Sequence, residues 1–102
     1  MGQSRLDLQE LLLGILENDN AYFQPPTNVK LVYPCIVYER APILASWAGN
    51  KPYTLDKPYL VTHISRDPDD EAVDKLAALP KCVHDRFYIA DNLNHHTFKI
   101  FF

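Results

Sequence analysis

Glycine, cysteine and long apolar runs are all scarce in this chain of 102 residues. It contains only 3 glycines and 2 cysteines. So few glycines make a glycine-rich phosphate-binding loop improbable, and two cysteines are too few for a disulfide framework. No apolar run approaches the ~20 residues that a membrane span requires, and residues 1–7 hold no apolar stretch of the secretory-signal type. The expectation is a protein with reduced thiols and no membrane partner.

Positive charge is also in deficit. The 10 lysines and arginines are outnumbered by 13 acidic residues, so the formal net charge is -3. A domain that holds nucleic acid through a general basic surface has the opposite balance. Hydrophobic residues make up 47% and charged residues 23%, which is ordinary for a globular domain. The length suits one domain that spans residues 1–102.

Hydrophobic periodicity predicts two helices and four strands. Residues 4–18 place apolar side chains on one helical face, and a short second helix is expected between the acidic turn at 67–70 and Pro80. Strands are expected at 30–40, 57–66, 81–90 and 95–102. Pro34 marks a strand start, an edge or a bulge. The order α-β-β-α-β-β predicts an α+β fold, in which both helices pack on one face of a mainly antiparallel sheet.

The segment 41–56 has no period and is long for a connection in so small a domain. It carries Ile43, Leu44 and Trp47, which would be costly to leave exposed together. Tryptophan is enriched at interface hot spots, so the segment is interpreted as an interaction loop. A Trp47 that fills the domain's own core is the alternative. The expected interaction residues are Ile43, Leu44, Trp47, Asn50, Lys51 and Tyr53.

Neither the histidines nor the cysteines form a recognisable catalytic or metal-binding pattern. His95 and His96 are adjacent on a predicted strand and point to opposite faces, so they do not share a metal easily. Cys35 and Cys82 lie in apolar strand segments and are expected to be inert thiols. We therefore assign no catalytic residue, no cofactor and no metal ligand, and we expect a protein that is not an enzyme.

Two charged clusters receive structural interpretations. The acidic run at 67–74 is typical of a helix start, where the helix dipole favours carboxylates. The pair Asp85–Arg86, near the turn residues Asp91 and Asn92, is typical of a hydrogen-bonded corner. A small enzyme or ligand-binding domain that uses a Cys/His pair or an Asp/Arg pocket stays open as an alternative.

Several stretches give the chain a family resemblance. They are Tyr33–Tyr38 (YPCIVY), Asn50–Tyr53 (NKPY), Lys57–Asp69 (KPYLVTHISRDPD), Asp85–Tyr88 (DRFY) and Asp91–His95 (DNLNH). In these stretches the chain resembles the tail-terminator, or tail-completion, proteins that join head and tail in long-tailed bacteriophages. The resemblance covers roughly residues 5–102.

The resemblance implies a structural role in the virion and no enzymatic activity. It implies a homo-hexameric ring that ends the tail tube and joins it to the head connector, with the tail tube protein and the head-closure protein as partners. DNA would be only passing cargo in the channel, and a negative net charge is compatible with that role. The ring would be assembled in the host cytoplasm and reside in the tail or neck. A head-closure or connector subunit of the same region is the alternative.

Overall fold

The computed structural model describes residues 5–41 and 58–102. In chain order the elements are α1 (Arg5–Leu16), β1 (Ala21–Phe23), β2 (Cys35–Arg40), β3 (Pro58–Ser65), α2 (Glu71–Ala77), β4 (Cys82–Ala90) and β5 (Leu93–Phe101). The strands form one sheet in the order β1-β2-β3-β5-β4. Strand β1 runs parallel to β2, and the other neighbours are antiparallel. The predicted α+β class is confirmed, with a mixed sheet of five strands.

Strand β1 is the element that the predicted order α-β-β-α-β-β lacks. It has only three residues, Ala21–Phe23, and it begins after an Asn-Asp-Asn turn. Three residues are too few to show alternation, so hydrophobic periodicity gives no signal for it. It becomes a strand because its neighbour β2 offers a free edge, which is a property of the folded sheet and not of the local sequence.

Strand β2 begins at Cys35, one residue after Pro34. This confirms Pro34 as the marker of a strand start, because proline has no N–H to contribute to the ladder. Residues 30–34 were expected to belong to the strand, and they lie outside it.

The main core lies between the two helices and one face of the sheet. Helix α1 buries Leu8, Leu12 and Ile15, and helix α2 buries Ala72 and Leu76. The sheet contributes Ile36, Tyr38, Tyr59, Val61, Phe98 and Ile100 to the same cluster. Both helices therefore cover one face, here called the helix-covered face; the other is the open face.

Two details of this core were expected from the sequence. In β5 the alternation of the sequence predicts that His96, Phe98 and Ile100 share a face, and Phe98 and Ile100 lie together in the core. In α2 the helical spacing predicts an apolar face that includes Ala77, and this is wrong, because Ala77 is exposed and Ala72 occupies the core position.

A smaller cluster covers one end of the open face, where β2 and β5 begin and β3 ends. Cys35, Ile64 and Leu93 are buried there. Leu31 and Tyr33, from the segment that precedes β2, pack against them. The open face is thus partly covered near β2, whereas β4 stands at the far side of the sheet.

Candidate functional site

Strand β4 forms one edge of the sheet and is exposed along nearly its whole length. Every residue of the strand after Cys82 is exposed. Within the part of the chain that the structure describes, only β5 pairs with it. Four exposed side chains are large and apolar, with exposed fractions of 60% for Val83, 49% for Phe87, 42% for Tyr88 and 66% for Ile89. Such an edge presents both backbone groups and apolar side chains to another chain.

A two-residue turn at Asp91 and Asn92 places β4 beside β5. Both residues have positive φ, at 53° and 62°. Type I′ hairpin turns require this conformation at their two central positions, where Asp and Asn are well tolerated. The turn connects Ala90 directly to Leu93, which is the last pair of the β4–β5 ladder.

A β-bulge at Asp85 divides β4 into two parts. His84 pairs with Phe98 and Arg86 pairs with the preceding residue of β5, Thr97. Asp85 is therefore the extra residue, with no partner in the ladder. The bulge separates the segment 82–84 from the regular segment 86–90.

The bulge changes which side chains share a face. Val83 pairs with Lys99 on the open face, whereas Phe87 pairs with His96 on the helix-covered face. Because Val83, Phe87 and Ile89 share one parity along the chain, strict strand alternation predicts a common face for them, and this prediction is wrong. One inserted residue reverses the alternation, so β4 presents apolar side chains on both faces.

Side-chain contacts hold the bulge in place. The Thr97 hydroxyl accepts a hydrogen bond from the Arg86 backbone N–H at 3.1 Å and donates to Asp85 Oδ2 at 3.3 Å. Lys99 Nζ and Arg86 Nε each lie 3.7 Å from the Asp85 carboxylate. Asp85 and Arg86 thus form a hydrogen-bonded corner, but it lies at a bulge inside β4 and not, as expected from the sequence, at a strand end beside the turn residues Asp91 and Asn92.

The same corner forms one wall of a cavity of about 350 Å³ on the open face. Its lining residues are Glu39, Arg40, Ala41, Leu60, Asp85, Arg86 and Lys99. Three of these side chains are cationic and two are anionic. The cavity contains the Asp/Arg pair on which the alternative, ligand-binding interpretation of the sequence depends.

Three histidines, here called the histidine row, lie side by side across the helix-covered face. They are His63 on β3, His96 on β5 and His84 on β4. His63 and His96 are opposite each other in the strand register. His84 Nε2 and His96 Nδ1 are 3.2 Å apart. A contact between two ring nitrogens needs one donor and one acceptor, so at least one of the two facing nitrogens is unprotonated.

Aromatic rings surround the exposed end of the row. The Phe98 ring meets His84 edge-on at 5.2 Å between centroids, and the Phe87 ring lies 4.6 Å from His96. The Phe87 ring thereby covers part of the His96 imidazole, whereas His84 stays exposed. Burial lowers the pKa of His96, and the neighbouring His84 lowers it further.

His63 is the interior end of the row and is completely buried. Its Nε2 lies 3.5 Å from Asp70 Oδ2, close enough for charge attraction. Among the described residues, neither ring nitrogen of His63 has a hydrogen-bond partner. Burial lowers the pKa of His63, and His96 adds to this effect, whereas Asp70 opposes it.

Asp70 has a second role at the start of α2. Its Oδ1 accepts a hydrogen bond from the Ala72 backbone N–H at 2.9 Å, which makes it the N-cap of the helix. The Asp67 side chain accepts from the Asp69 N–H, also at 2.9 Å. These contacts agree with the interpretation of the acidic run as a helix start. Asp67 and Asp70 also line a second cavity of about 280 Å³.

His95 lies on the open face and does not belong to the row. Its ring stacks on Tyr88, with centroids 4.6 Å apart and planes 13° from parallel. The prediction that His95 and His96 point to opposite faces is confirmed. Within residues 5–41 and 58–102, no three His, Cys, Asp or Glu side chains are grouped so that they hold a metal ion.

The two thiols have environments that oppose ionisation. Cys35 is buried, and burial raises its pKa to about 11. Cys82 is half-buried, and burial raises its pKa as well. Both are free cysteines, and thiols with raised pKa are poor nucleophiles at neutral pH. This agrees with the inert thiols expected from the sequence.

The expected interaction loop, residues 41–56, lies outside the described residues except for Ala41. The six expected interaction residues all lie outside them: Ile43, Leu44, Trp47, Asn50, Lys51 and Tyr53. No pattern in the sequence predicts the histidine row as a whole. Its members are far apart in the chain, and only the strand order and register bring them together. One signal was available, because His96 shares its predicted face with Phe98 and Ile100.

No family model, curated protein or solved structure matches the chain. Among the residues that the structure describes, no helix is both long and apolar enough to span a membrane. The function proposed for this protein rests on the geometry of β4 and on the resemblance stated for its sequence.

Proposed function

We propose that this protein is a structural subunit that assembles with copies of itself into a ring at the head–tail joint of a long-tailed bacteriophage. The observation that carries self-assembly is the exposed edge strand β4 with its apolar side chains. The placement in a virion derives from the sequence resemblance to tail-terminator proteins. In this role the ring, of six copies, ends the tail tube and contacts the head connector, and DNA passes through its channel.

The composition of β4 favours a protein partner. Sheet edges that remain in water are usually short, charged, bulged or covered. Strand β4 has the bulge at Asp85, but the regular segment 86–90 beyond it carries a single charge, on Arg86. Complete burial of one large apolar side chain contributes about 1.5–3 kcal/mol. Burying Phe87, Tyr88 and Ile89 against a second copy would therefore supply a large part of an interface.

The symmetry of the assembly depends on what β4 meets. If β4 pairs with β4 of a second copy, the contact is two-fold and the assembly stops at a dimer. If β4 meets a different surface of the next copy, repetition of the contact closes a ring when the rotation between copies divides a full turn, and otherwise extends into a filament. The proposed ring therefore requires the second arrangement, in which β4 supplies one side of each contact.

Native mass spectrometry of the purified chain tests the proposal, with negative-stain images to show symmetry. The substitution Ile89→Lys places a charge on the exposed edge while leaving the core intact. We expect the wild type to form a closed oligomer and Ile89→Lys to remain monomeric and folded. Val32→Lys is the matched control, because Val32 is also exposed, at 55%, but lies in the segment before β2.

Each outcome has a definite meaning. A wild type that is monomeric at all concentrations overturns self-assembly. Assembly that survives Ile89→Lys overturns the role of β4. A dimer with no larger species contradicts the ring, whereas a six-fold ring supports it. Peptides of this chain recovered from purified, nuclease-treated virions would support the virion role, and their absence from virions of a phage that encodes the chain would contradict it.

A second candidate function is the binding of a small anionic ligand in the open-face cavity. Arg40, Arg86 and Lys99 all line this cavity of about 350 Å³. Thermal-shift titration with inorganic phosphate and with small dicarboxylates tests it, using Arg40→Gln as the variant that should lose the response. Saturable stabilisation that disappears in Arg40→Gln supports the candidate, and an unchanged melting temperature with every anion contradicts it.

A further inference from the structure

We propose that the histidine row is an acid-sensitive contact. It stabilises the pairing of edge strand β4 with the sheet, and it allows β4 to detach when the row takes up protons. The inference concerns the folded subunit alone, so it holds or fails independently of ring formation. It is carried by the positions of His63, His84 and His96 and by the contacts between them.

The contact between His84 and His96 depends directly on protonation. Their facing nitrogens are 3.2 Å apart, so one of them must carry a lone pair that accepts the hydrogen bond. When both rings are fully protonated, two N–H groups face each other and two positive charges lie in contact. The hydrogen bond is then lost and replaced by repulsion. Acid therefore converts the contact from attractive to repulsive.

This contact lies where it can hold β4. His96 belongs to β5, and its ring touches both parts of the divided edge strand: His84 before the bulge and Phe87 after it. The bulge leaves Asp85 without a ladder partner at this point. Side-chain contacts to His96 thus connect the two halves of β4 to the sheet where the backbone ladder is interrupted.

The interior end of the row strengthens the effect. His63 lies opposite His96 in the register and is completely buried. The pKa of His63 is affected by Asp70, at the start of α2, and by His96 on β5. The pKa of His96 is affected by His84 on β4. Burial opposes a charge on His63 and outweighs the attraction of Asp70, so the pKa of His63 is lowered and it takes up a proton only at a lower pH than an ordinary histidine. Once charged, His63 repels a charge on His96, so acid adds like charges on neighbouring strands of the row, next to the edge strand.

Strand β4 is the element that such repulsion would release first. It pairs on one side only within the described chain, and all its residues but Cys82 are exposed. Local opening begins in elements with few buried contacts and exposed hydrogen bonds. Strand β3, in contrast, is paired on both sides by β2 and β5 and is mostly buried. We therefore expect acid to open β4 while β3 stays closed.

Hydrogen exchange on the monomeric full chain tests the proposal at pH 7.5 and pH 5.0, with rates corrected for intrinsic exchange. We expect protection of β4 amides to fall about tenfold or more at the lower pH, which corresponds to about 1.4 kcal/mol of opening free energy, while β3 changes less. His84→Gln removes the titrating ring but keeps hydrogen-bonding groups, so its β4 protection should hardly change with pH. His95→Gln, on the opposite face, should behave as the wild type does.

Three results would overturn the proposal. One is equal β4 protection in the wild type at both pH values; another is the same loss of protection in His84→Gln; the third is abolition of the loss by His95→Gln. If His84→Gln does not fold, imidazole NMR titration of the wild type decides. Coupled, two-step titration of His84 and His96 that moves the β4 amide signals supports the proposal. Independent titration of the two rings with unmoved β4 signals contradicts it.

Discussion

The two edges of the sheet differ in length and in how they are covered. Strand β1 has three residues and β4 has nine. At the β1 edge, the Gln9 side chain of α1 donates a hydrogen bond to the Ala21 carbonyl at 3.0 Å, and the Tyr38 hydroxyl donates to Gln9. At the β4 edge, the apolar side chains Phe87 and Ile89 are exposed. Within residues 5–41 and 58–102, the β1 edge is covered by contacts with α1 and is here called the closed edge, whereas the β4 edge has no such cover and is called the open edge.

This difference indicates which edge is adapted to a partner. A short edge strand tied down by a helix side chain leaves little backbone for another strand to join. A long strand with apolar residues on both faces leaves much more. The closed edge therefore belongs to the stability of the subunit, and the open edge to its interactions. Four predictions, in decreasing order of expected effect, test this division.

The largest change in the free energy of unfolding is expected next to the closed edge, on β2. Ile36 pairs with Ala21 of β1 and is completely buried in the main core. Ile36→Ala removes buried methylene groups and leaves a cavity, so it should lower the free energy of unfolding by about 2–5 kcal/mol. Urea unfolding of the monomer measures the change. A loss below about 1 kcal/mol would show that the β1 side does not carry the stability assigned to it.

Much of this closed side could be predicted from the sequence. Leu8, Leu12 and Ile15 repeat with the period of a helix, and they are the residues that α1 buries. Pro34 marks the start of β2 because proline has no backbone N–H to donate to a neighbouring strand. Next to the other edge, the alternation of β5 around Phe98 also agrees with the sequence. In each case a single segment contains the whole signal, since the buried face is set by local geometry.

The features near the open edge could not be predicted from single segments in this way. The bulge at Asp85 depends on the Thr97 hydroxyl, which is 12 residues away in the chain. The histidine row depends on the register of three strands. β1, at the closed edge, was missed for the same reason, since it exists only because β2 pairs with it. Local patterns give the faces of single elements, whereas candidate sites arise from pairings between elements.

The second largest change in the free energy of unfolding is expected from the side-chain contact between β5 and β4 at the bulge. Thr97 is 6% exposed, and its hydroxyl serves both Arg86 and Asp85. Thr97→Val keeps the shape but leaves the Arg86 N–H without this partner, so we expect a loss of about 1–3 kcal/mol in the free energy of unfolding. Urea unfolding gives the value, and Thr62→Val, at a half-buried position on β3, serves as control. Equal losses in the two variants would mean that the bulge contact has no special role.

The free energy of unfolding should also depend on pH, because His63 is buried on the central strand β3. Burial lowers the pKa of His63 from the ordinary value of 6.5. Between the folded and unfolded pKa values, the unfolded chain binds more protons, so stability is complete above about pH 6.5 and falls as the pH decreases. The slope for one such histidine reaches at most about 1.4 kcal/mol per pH unit, and it levels off below the folded pKa.

Urea unfolding from pH 8 to pH 5 measures this slope. His63→Phe removes the buried titrating group, so its stability should decline less over the same interval. His95→Gln, whose ring lies outside the row, should decline as the wild type does. The interpretation fails if the His63→Phe and wild-type profiles run parallel.

The smallest effect on folding is expected at the open edge, for the same residue type as at the closed edge. Ile89 is 66% exposed, whereas Ile36 is 0% exposed. Ile89→Ala removes side-chain atoms that water already surrounds in the monomer, so the free energy of unfolding should change by no more than about 0.5 kcal/mol. The measurement must be made below the concentration at which the wild type assembles, because assembly would add its own stabilisation. Above that concentration, the same substitution should weaken the oligomer through lost apolar contact. A monomer that loses as much stability with Ile89→Ala as with Ile36→Ala would show that β4 is covered in the isolated subunit, and the contrast between the two edges would then disappear.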